Sequence, residues 1–292
     1  MRIGIIGGGA IGLLLSSLLG KDHDVTIYVR RCEQLQAIKE EGVSLSESNR
    51  TTRVASKMFG DWDRHDLMFV CVKQYHLDEL IPLLDQLDFD IPLVFLQNGM
   101  GHLEAIDRLE NHQAIVGVME HGAMRVTDTI VNHTGKGVLK VAPYRASNIS
   151  MYKVKELSAP DFPIQFMEDF YQLLAKKLVV NTVINPLTAL FEVENGRIAE
   201  DPHLKKLAYM IGEEACEVLQ LSFDEEWDRV MEVVRLTAAN LSSMAKDIQE
   251  GRRTEVDAIL GYLMERATKK HPNIRFAYHA IKAKEGQRSR SE

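Results

Sequence analysis

MRIGIIGGGAIGLLLSSLL, residues 1–19, decides the fold of this chain. Arg2 to Ile6 is a short apolar run suited to a strand buried in a parallel sheet, and Ile11 to Leu19 is apolar and helix-competent. Between them Gly7, Gly9 and Gly12 fall in G-x-G-x-x-G spacing. Each glycine has a mechanical task there. Gly7 permits the tight turn, Gly9 lets backbone approach a pyrophosphate, and Gly12 lets the helix pack on the strand. The helix N-terminus then turns its unpaired N–H groups and positive dipole end toward an anion. The whole stretch Gly7, Gly8, Gly9, Ala10, Ile11 and Gly12 is therefore the expected dinucleotide loop.

A second strand, Asp24 to Val29, follows, and the residues at its end select the nucleotide. An acid there accepts hydrogen bonds from the ribose hydroxyls of an unphosphorylated dinucleotide. Here the strand runs into Arg30 and Arg31, with no acid before Glu33. Two guanidiniums suit a phosphate dianion through charge-assisted hydrogen bonds, and a carboxylate would repel it. The expected cofactor is the 2′-phosphorylated one, NADP.

Length and composition set outer limits. A chain of 292 residues exceeds one typical domain. A hydrophobic share of 45% with 26% charged residues is that of a globular protein. The net charge of −7 leaves no basic surplus for nucleic acid, and the basic end Lys282 to Arg290 reads as a solvated, frayed tail. No apolar run reaches membrane-spanning length and the first strand leaves no room for a leader, so no membrane partner and a cytoplasmic location are expected. Cys32, Cys71 and Cys216 are scattered, which suits a reducing compartment, and no Cys or His pair has metal-ligand spacing. Oligomeric state is not fixed by sequence; a homodimer is left open.

Along the first half, strands and helices alternate. Leu35 to Glu41 reads as helix, Arg53 to Met58 as strand, Leu67 to Val72 as a fully buried strand, and His76 to Leu87 as helix. Leu93 to Leu96 and Ala114 to Met119 read as further strands, with a helix over His102 to Leu109 between them. This is an α/β pattern: a Rossmann-type doubly wound parallel sheet. Short β pieces follow from Thr129 to Ala142, then a loop-rich stretch from Pro143 to Pro163. Beyond it the segments Phe166 to Leu174, Lys177 to Phe191, His203 to Leu221, Trp227 to Gln249 and Glu255 to Lys269 read as helices. The expected domains are a nucleotide-binding one at 1–163 and an all-α one at 164–292.

The helical half holds a second informative segment, KLVVNTVINPLT at 177–188. Lys177, Asn181 and Asn185 stand at i, i+4 and i+8, a polar stripe on an otherwise aliphatic helix. Burying such groups is costly unless they meet partners or a ligand. Asn185-Pro186 is expected to interrupt the helix. Spacing alone supports a solvated face and a ligand-binding face equally.

Five stretches taken in order change that balance: GGGAIG at 7–12, Val72-Lys73, LQNGMG at 96–101, KLVVNTVINPLTAL at 177–190 and NLSSMAKDIQEGRRTEVDAILG at 240–261. With them the chain resembles the ketopantoate reductase (2-dehydropantoate 2-reductase) family nearly end to end. The resemblance implies reduction of ketopantoate, a small-molecule substrate, to pantoate with NADPH, in pantothenate and coenzyme A biosynthesis. It implies Lys177 and Glu255 as catalytic residues. Asn181, Asn185, Ser243 and Asn240 become substrate contacts, Asn98 a contact for both substrate and cofactor, and Lys73 a cofactor contact. Glu120 to Arg125 is only loosely family-like and Ser44 to Lys57 matches poorly.

The chemistry of each implied role is sound. Hydride delivery to a ketone builds negative charge on oxygen, which an ammonium stabilises and then protonates. Glu255 can accept from a substrate hydroxyl and balance that ammonium; Thr254 to Asp257 also reads as a helix cap. Ser243 and Asn240, read as i, i+3 on one helix, can grip a carboxylate. Two other readings stand beside this one: a related NADP-dependent 2-keto acid or opine-type dehydrogenase, and a non-catalytic NADP-sensing protein.

Overall fold

The computed structural model describes residues 1–47, 51–110 and 112–288. They form two compact units, one of residues 1–97 with 103–173, the other of residues 98–102 with 174–292.

In the first unit the strands among the described residues are β1 (Arg2–Ile6), β2 (Asp24–Val29), β3 (Val43–Leu45), β4 (Thr51–Thr52), β5 (Ala55–Met58), β6 (Leu67–Val70), β7 (Leu93–Phe95), β8 (Ala114–Met119), β9 (Gly122–Arg125), β10 (Ile130–Gly135), β11 (Leu139–Arg145) and β12 (Ile164–Phe166). The main sheet has the order β12-β11-β8-β7-β6-β1-β2-β5. Its central strands are parallel, as expected of a doubly wound sheet, and β11 joins antiparallel to β8. Ile3, Ile5, Leu67, Phe69 and Val94 are wholly buried, because helices cover both faces of a parallel sheet.

A second sheet, β4-β3-β10-β9, was not foreseen. Strands β3, β4 and β9 come largely from the two stretches that match the family least, β10 from the short β pieces expected after Thr129, and helix Ala10–Leu19 packs against both sheets. That explains an apolar helix with buried residues nearly all round. The loop expected from Pro143 to Pro163 instead holds the end of β11 and helix Asn148–Lys155. The helix expected from Phe166 begins only at Phe170, because residues 164–166 pair in parallel with Leu139–Val141. The main division between the compact units falls at Leu173–Leu174.

The second unit is helical. Helix Phe170–Phe191 runs through Pro186 without interruption, against expectation. The missing proline N–H costs ~3 kcal/mol. Burial of Val183, Ile184 and Leu187, at ~1.5–3 kcal/mol each, outweighs it. Conversely, the helix expected over Trp227 to Gln249 is two, Phe223–Leu236 and Ser243–Gln249, with a turn at 237–242. Ser242 caps the second, its hydroxyl accepting from the Ala245 N–H. The expected tail is also corrected: Pro272–Arg288 is helical. Lys282 lies within reach of Asp257 and Glu285, and Lys284 donates to the Ala189 and Leu190 carbonyls. Residues 289–290 of that expected tail lie outside the described residues.

Candidate active site

The cofactor-loop residues gather in the first unit. Gly7, at φ +114°, makes the turn out of β1, and its N–H donates to the Tyr28 carbonyl. A Cβ on Gly12 would lie 1.8 Å from the Gly7 carbonyl oxygen, so only glycine permits the helix to start there. A Cβ on Gly9 would meet nothing within 4 Å among the described residues beyond its chain neighbours. Space is therefore open directly over the N-terminus of Ala10–Leu19, whose first turn carries no acid and whose N-cap Gly9 has no side chain to occupy it. A pyrophosphate fits this cradle of backbone N–H groups. Gly8 is anchored from behind: buried Gln34 donates from Nε2 to its carbonyl at 2.7 Å.

Arg30 and Arg31 part company at the end of β2. Arg31 is the residue preceding helix Cys32–Glu41 and is paired with Asp128. Arg30 is 59% exposed and lies 3.2 Å from the His76 ring and 4.0 Å from Glu79. Lys73 sits half-buried just after β6, at the start of the single turn Gln74–His76.

The remaining candidates all belong to the second unit. Along helix Phe170–Phe191, Lys177 is half-buried while Asn181 and Asn185 are each only 7% exposed. The Asn181 Nδ2 is buried and finds no hydrogen-bond partner among the described residues. A buried amide left in that condition is destabilising unless a ligand accepts from it. On the same helix Thr188 donates to Ser242 at 2.7 Å, which ties the start of Ser243–Gln249 to the helix bearing Lys177.

Glu255 is buried and accepts a hydrogen bond from Asn98 Nδ2 at 3.0 Å. It precedes a π-helical turn, Asp257–Gly261, a form often met at functional sites. That turn is held through Asp257. Burial pushes the Asp257 carboxyl up, but Tyr278, Arg253 and Lys282 together hold it below its ordinary value. Thr254 bonds Glu285 as well as the Val256 N–H, so it does more than cap a helix.

Ser243 is the exposed first residue of its helix, whereas its neighbour Ser242 is buried. Asn240 does not share that helix. It lies in the preceding turn, exposed, with its N–H on the Thr237 carbonyl. The i, i+3 relation assumed for Asn240 and Ser243 is thus lost, because the Ser242 cap starts a new helix. Sequence reasoning also missed Asn195. It is buried, donates from Nδ2 to Thr237, and leaves Oδ1 without a partner among the described residues. Asn195-Gly196 reads as an ordinary turn, so the sequence carries no signal of a buried amide.

Comparison with known proteins places the chain in a family. Residues 3–146 match ketopantoate reductase PanE/ApbA, and residues 169–285 match its C-terminal region. A 2-dehydropantoate 2-reductase of Bacillus subtilis is 40% identical over 292 residues, covering 98% of each chain. The crystal structure of a probable 2-dehydropantoate 2-reductase from the same organism superposes with a TM-score of 0.88 at 38% identity, covering 97% of this chain and all of the other. A dimeric ketopantoate reductase from Staphylococcus aureus shares the fold at TM-score 0.78 and 21% identity, covering 99% of this chain and all of that one.

Proposed function

Because the chain belongs to the ketopantoate reductase family, we infer that it is an NADPH-dependent oxidoreductase reducing 2-dehydropantoate (ketopantoate) to pantoate, a step of pantothenate and coenzyme A biosynthesis. The observation that carries this reading is the full-length match together with the stripe Lys177, Asn181 and Asn185 on a buried helix. The glycine cradle, Arg30, Arg31 and Lys73 would hold the dinucleotide. When bound, NADPH supplies the hydride that reduces the keto carbon.

The chain's own residues do the rest. As the carbonyl oxygen gains charge, the Lys177 ammonium stabilises it and then gives it a proton, leaving a neutral amine that solvent reprotonates. Asn181 donates from its otherwise orphaned Nδ2 to a substrate oxygen, and Asn185 lies one turn further along the same helix. Glu255, oriented by Asn98, accepts from the substrate hydroxyl. Ser243 and Asn240 offer polar groups to the carboxylate.

The test is NADPH consumption with ketopantoate against a panel of other 2-keto acids. Ketopantoate is expected to give the highest kcat/KM. A better substrate in the panel would overturn the substrate assignment, and no consumption with any member would overturn the enzyme itself. Helix Phe170–Phe191 is long and apolar enough to cross a membrane but is mostly buried within the protein. Its burial makes it a core helix; the cytoplasmic location in this reading follows from the biosynthetic step assigned to the chain. The homodimer is also part of this reading, as named for the Staphylococcus aureus reductase; light scattering on the purified chain checks it.

A further inference from the structure

The turn joining β9 to β10 follows directly on the loosely family-like stretch Glu120 to Arg125 and sits against the end of β2 that carries Arg30 and Arg31. Asp128, at its tip, pairs with Arg31 and lies 3.5 Å from Arg125 Nη1, so two guanidiniums gather round one carboxylate oxygen. The tip is fixed from three sides. Gln34 Nε2 donates to the Asp128 carbonyl at 3.1 Å while holding the Gly8 carbonyl at 2.7 Å. Thr129 donates to Glu41 at 2.6 Å, and the Ser44 N–H donates to the Thr129 carbonyl. Gln34 therefore couples the hairpin directly to the glycine loop.

We infer that this hairpin is part of the cofactor site and that Arg125 is a third cationic contact for the 2′-phosphate, aligned by Asp128. The inference rests on the NADPH reading. Charge supports it: Arg30, Arg31 and Arg125 carry three positive charges against the one negative charge of Asp128. Glu79, at 4.0 Å from Arg30 and 76% exposed, is largely screened by water. Even with Glu41, which accepts from Thr129 beside the tip, the balance stays positive and suits a phosphate dianion. Position supports it too, since Arg31 stands where the ribose of a dinucleotide is read. Asp128 keeps the guanidiniums of Arg31 and Arg125 in place, so neither has to be ordered when the phosphate arrives.

Calorimetric titration of the full chain with 2′,5′-ADP and with 5′-ADP tests the assignment without turnover. Arg125→Gln is expected to raise the Kd for 2′,5′-ADP about tenfold and to leave that for 5′-ADP unchanged, with Arg125→Lys in between. Arg30→Ala is titrated in parallel. If Arg30→Ala weakens 2′,5′-ADP selectively while Arg125→Gln does not, the inference falls and the NADPH reading stands. Equal loss of both ligands in Arg125→Gln would also overturn it, as a general structural effect. If the unmutated protein does not distinguish the two ligands, the inference falls together with the reading beneath it.

Discussion

Asn98 donates its side-chain amide to the buried carboxylate of Glu255 at 3.0 Å, joining residues 157 positions apart. The approach depends on the next residue. Gly99 has φ +80°, and a Cβ there would lie 2.2 Å from the Ala258 carbonyl oxygen. The turn Asn98-Gly99 is thus seated on the π-helical turn that follows Glu255, and the two motifs act as one polar cluster.

That pairing has a measurable coupling. A hydrogen bond to a charged group is worth about 1.5–3 kcal/mol, more of it retained where water is excluded. Asn98→Ala and Glu255→Ala are each expected to lower kcat/KM for ketopantoate. The double variant is expected to lose less than the two separate losses combined, by at least about 1 kcal/mol of transition-state free energy. Strict additivity would show that Asn98 does not orient Glu255.

Lys177→Ala separates a proton donor from a solvated lysine. If the ammonium acts as the alkoxide forms, kcat falls at least ~10²-fold, within the range of general acid catalysis. Cofactor Kd should be nearly unchanged, since the glycine loop belongs to the other unit. A variant keeping most of its kcat would return Lys177 to the solvated face that spacing alone also allowed.

Cofactor choice is tested at Arg30, the more exposed of the two strand-end arginines. NADPH is expected to support turnover far better than NADH. Arg30→Ala should raise KM for NADPH about tenfold or more and hardly alter that for NADH. Equal use of the two cofactors by the unmutated protein would contradict the 2′-phosphate reading.

The parallel sheet was legible because its signals are local: continuous apolar runs, a glycine loop, alternating helices. The small second sheet was not. Strand β3 is three residues long and β4 two, too short to show a period, and β3 pairs with β10, 86 residues distant. The same logic divides the candidate site. Lys177, Asn181 and Asn185 share one helix, so their alignment could be read from spacing. The Asn98–Glu255 pair and the Thr188–Ser242 bond form only after long loops close, and nothing local announces them. Pro186 misled in the other direction. A local rule for helix ends gave way to burial of the residues on both sides of it.

His102 makes the Asn98–His102 segment sensitive to acid. It is completely buried, and neither ring nitrogen has a partner among the described residues. Burial pushes its pKa from 6.5 down to about 4. The unfolded chain takes up this proton near pH 6.5 and the folded chain only near 4, so between those values the unfolded state binds more protons. Stability from a neutral His102 is therefore complete above pH 6.5, falls as pH drops, and is lost below about 4. The shift corresponds to roughly 3 kcal/mol at 1.36 kcal/mol per pKa unit. His65, His112 and His121 are shifted downward mainly by burial and titrate in the same direction, so total slope alone does not identify the group. His102→Phe isolates it, replacing a buried ring with one that carries no proton. Between pH 7 and 4.5 the unmutated protein is expected to lose about 2–3 kcal/mol more unfolding free energy than the variant, measured by urea titration at each pH. Equal losses in the two proteins would show that His102 is solvated or partnered in solution.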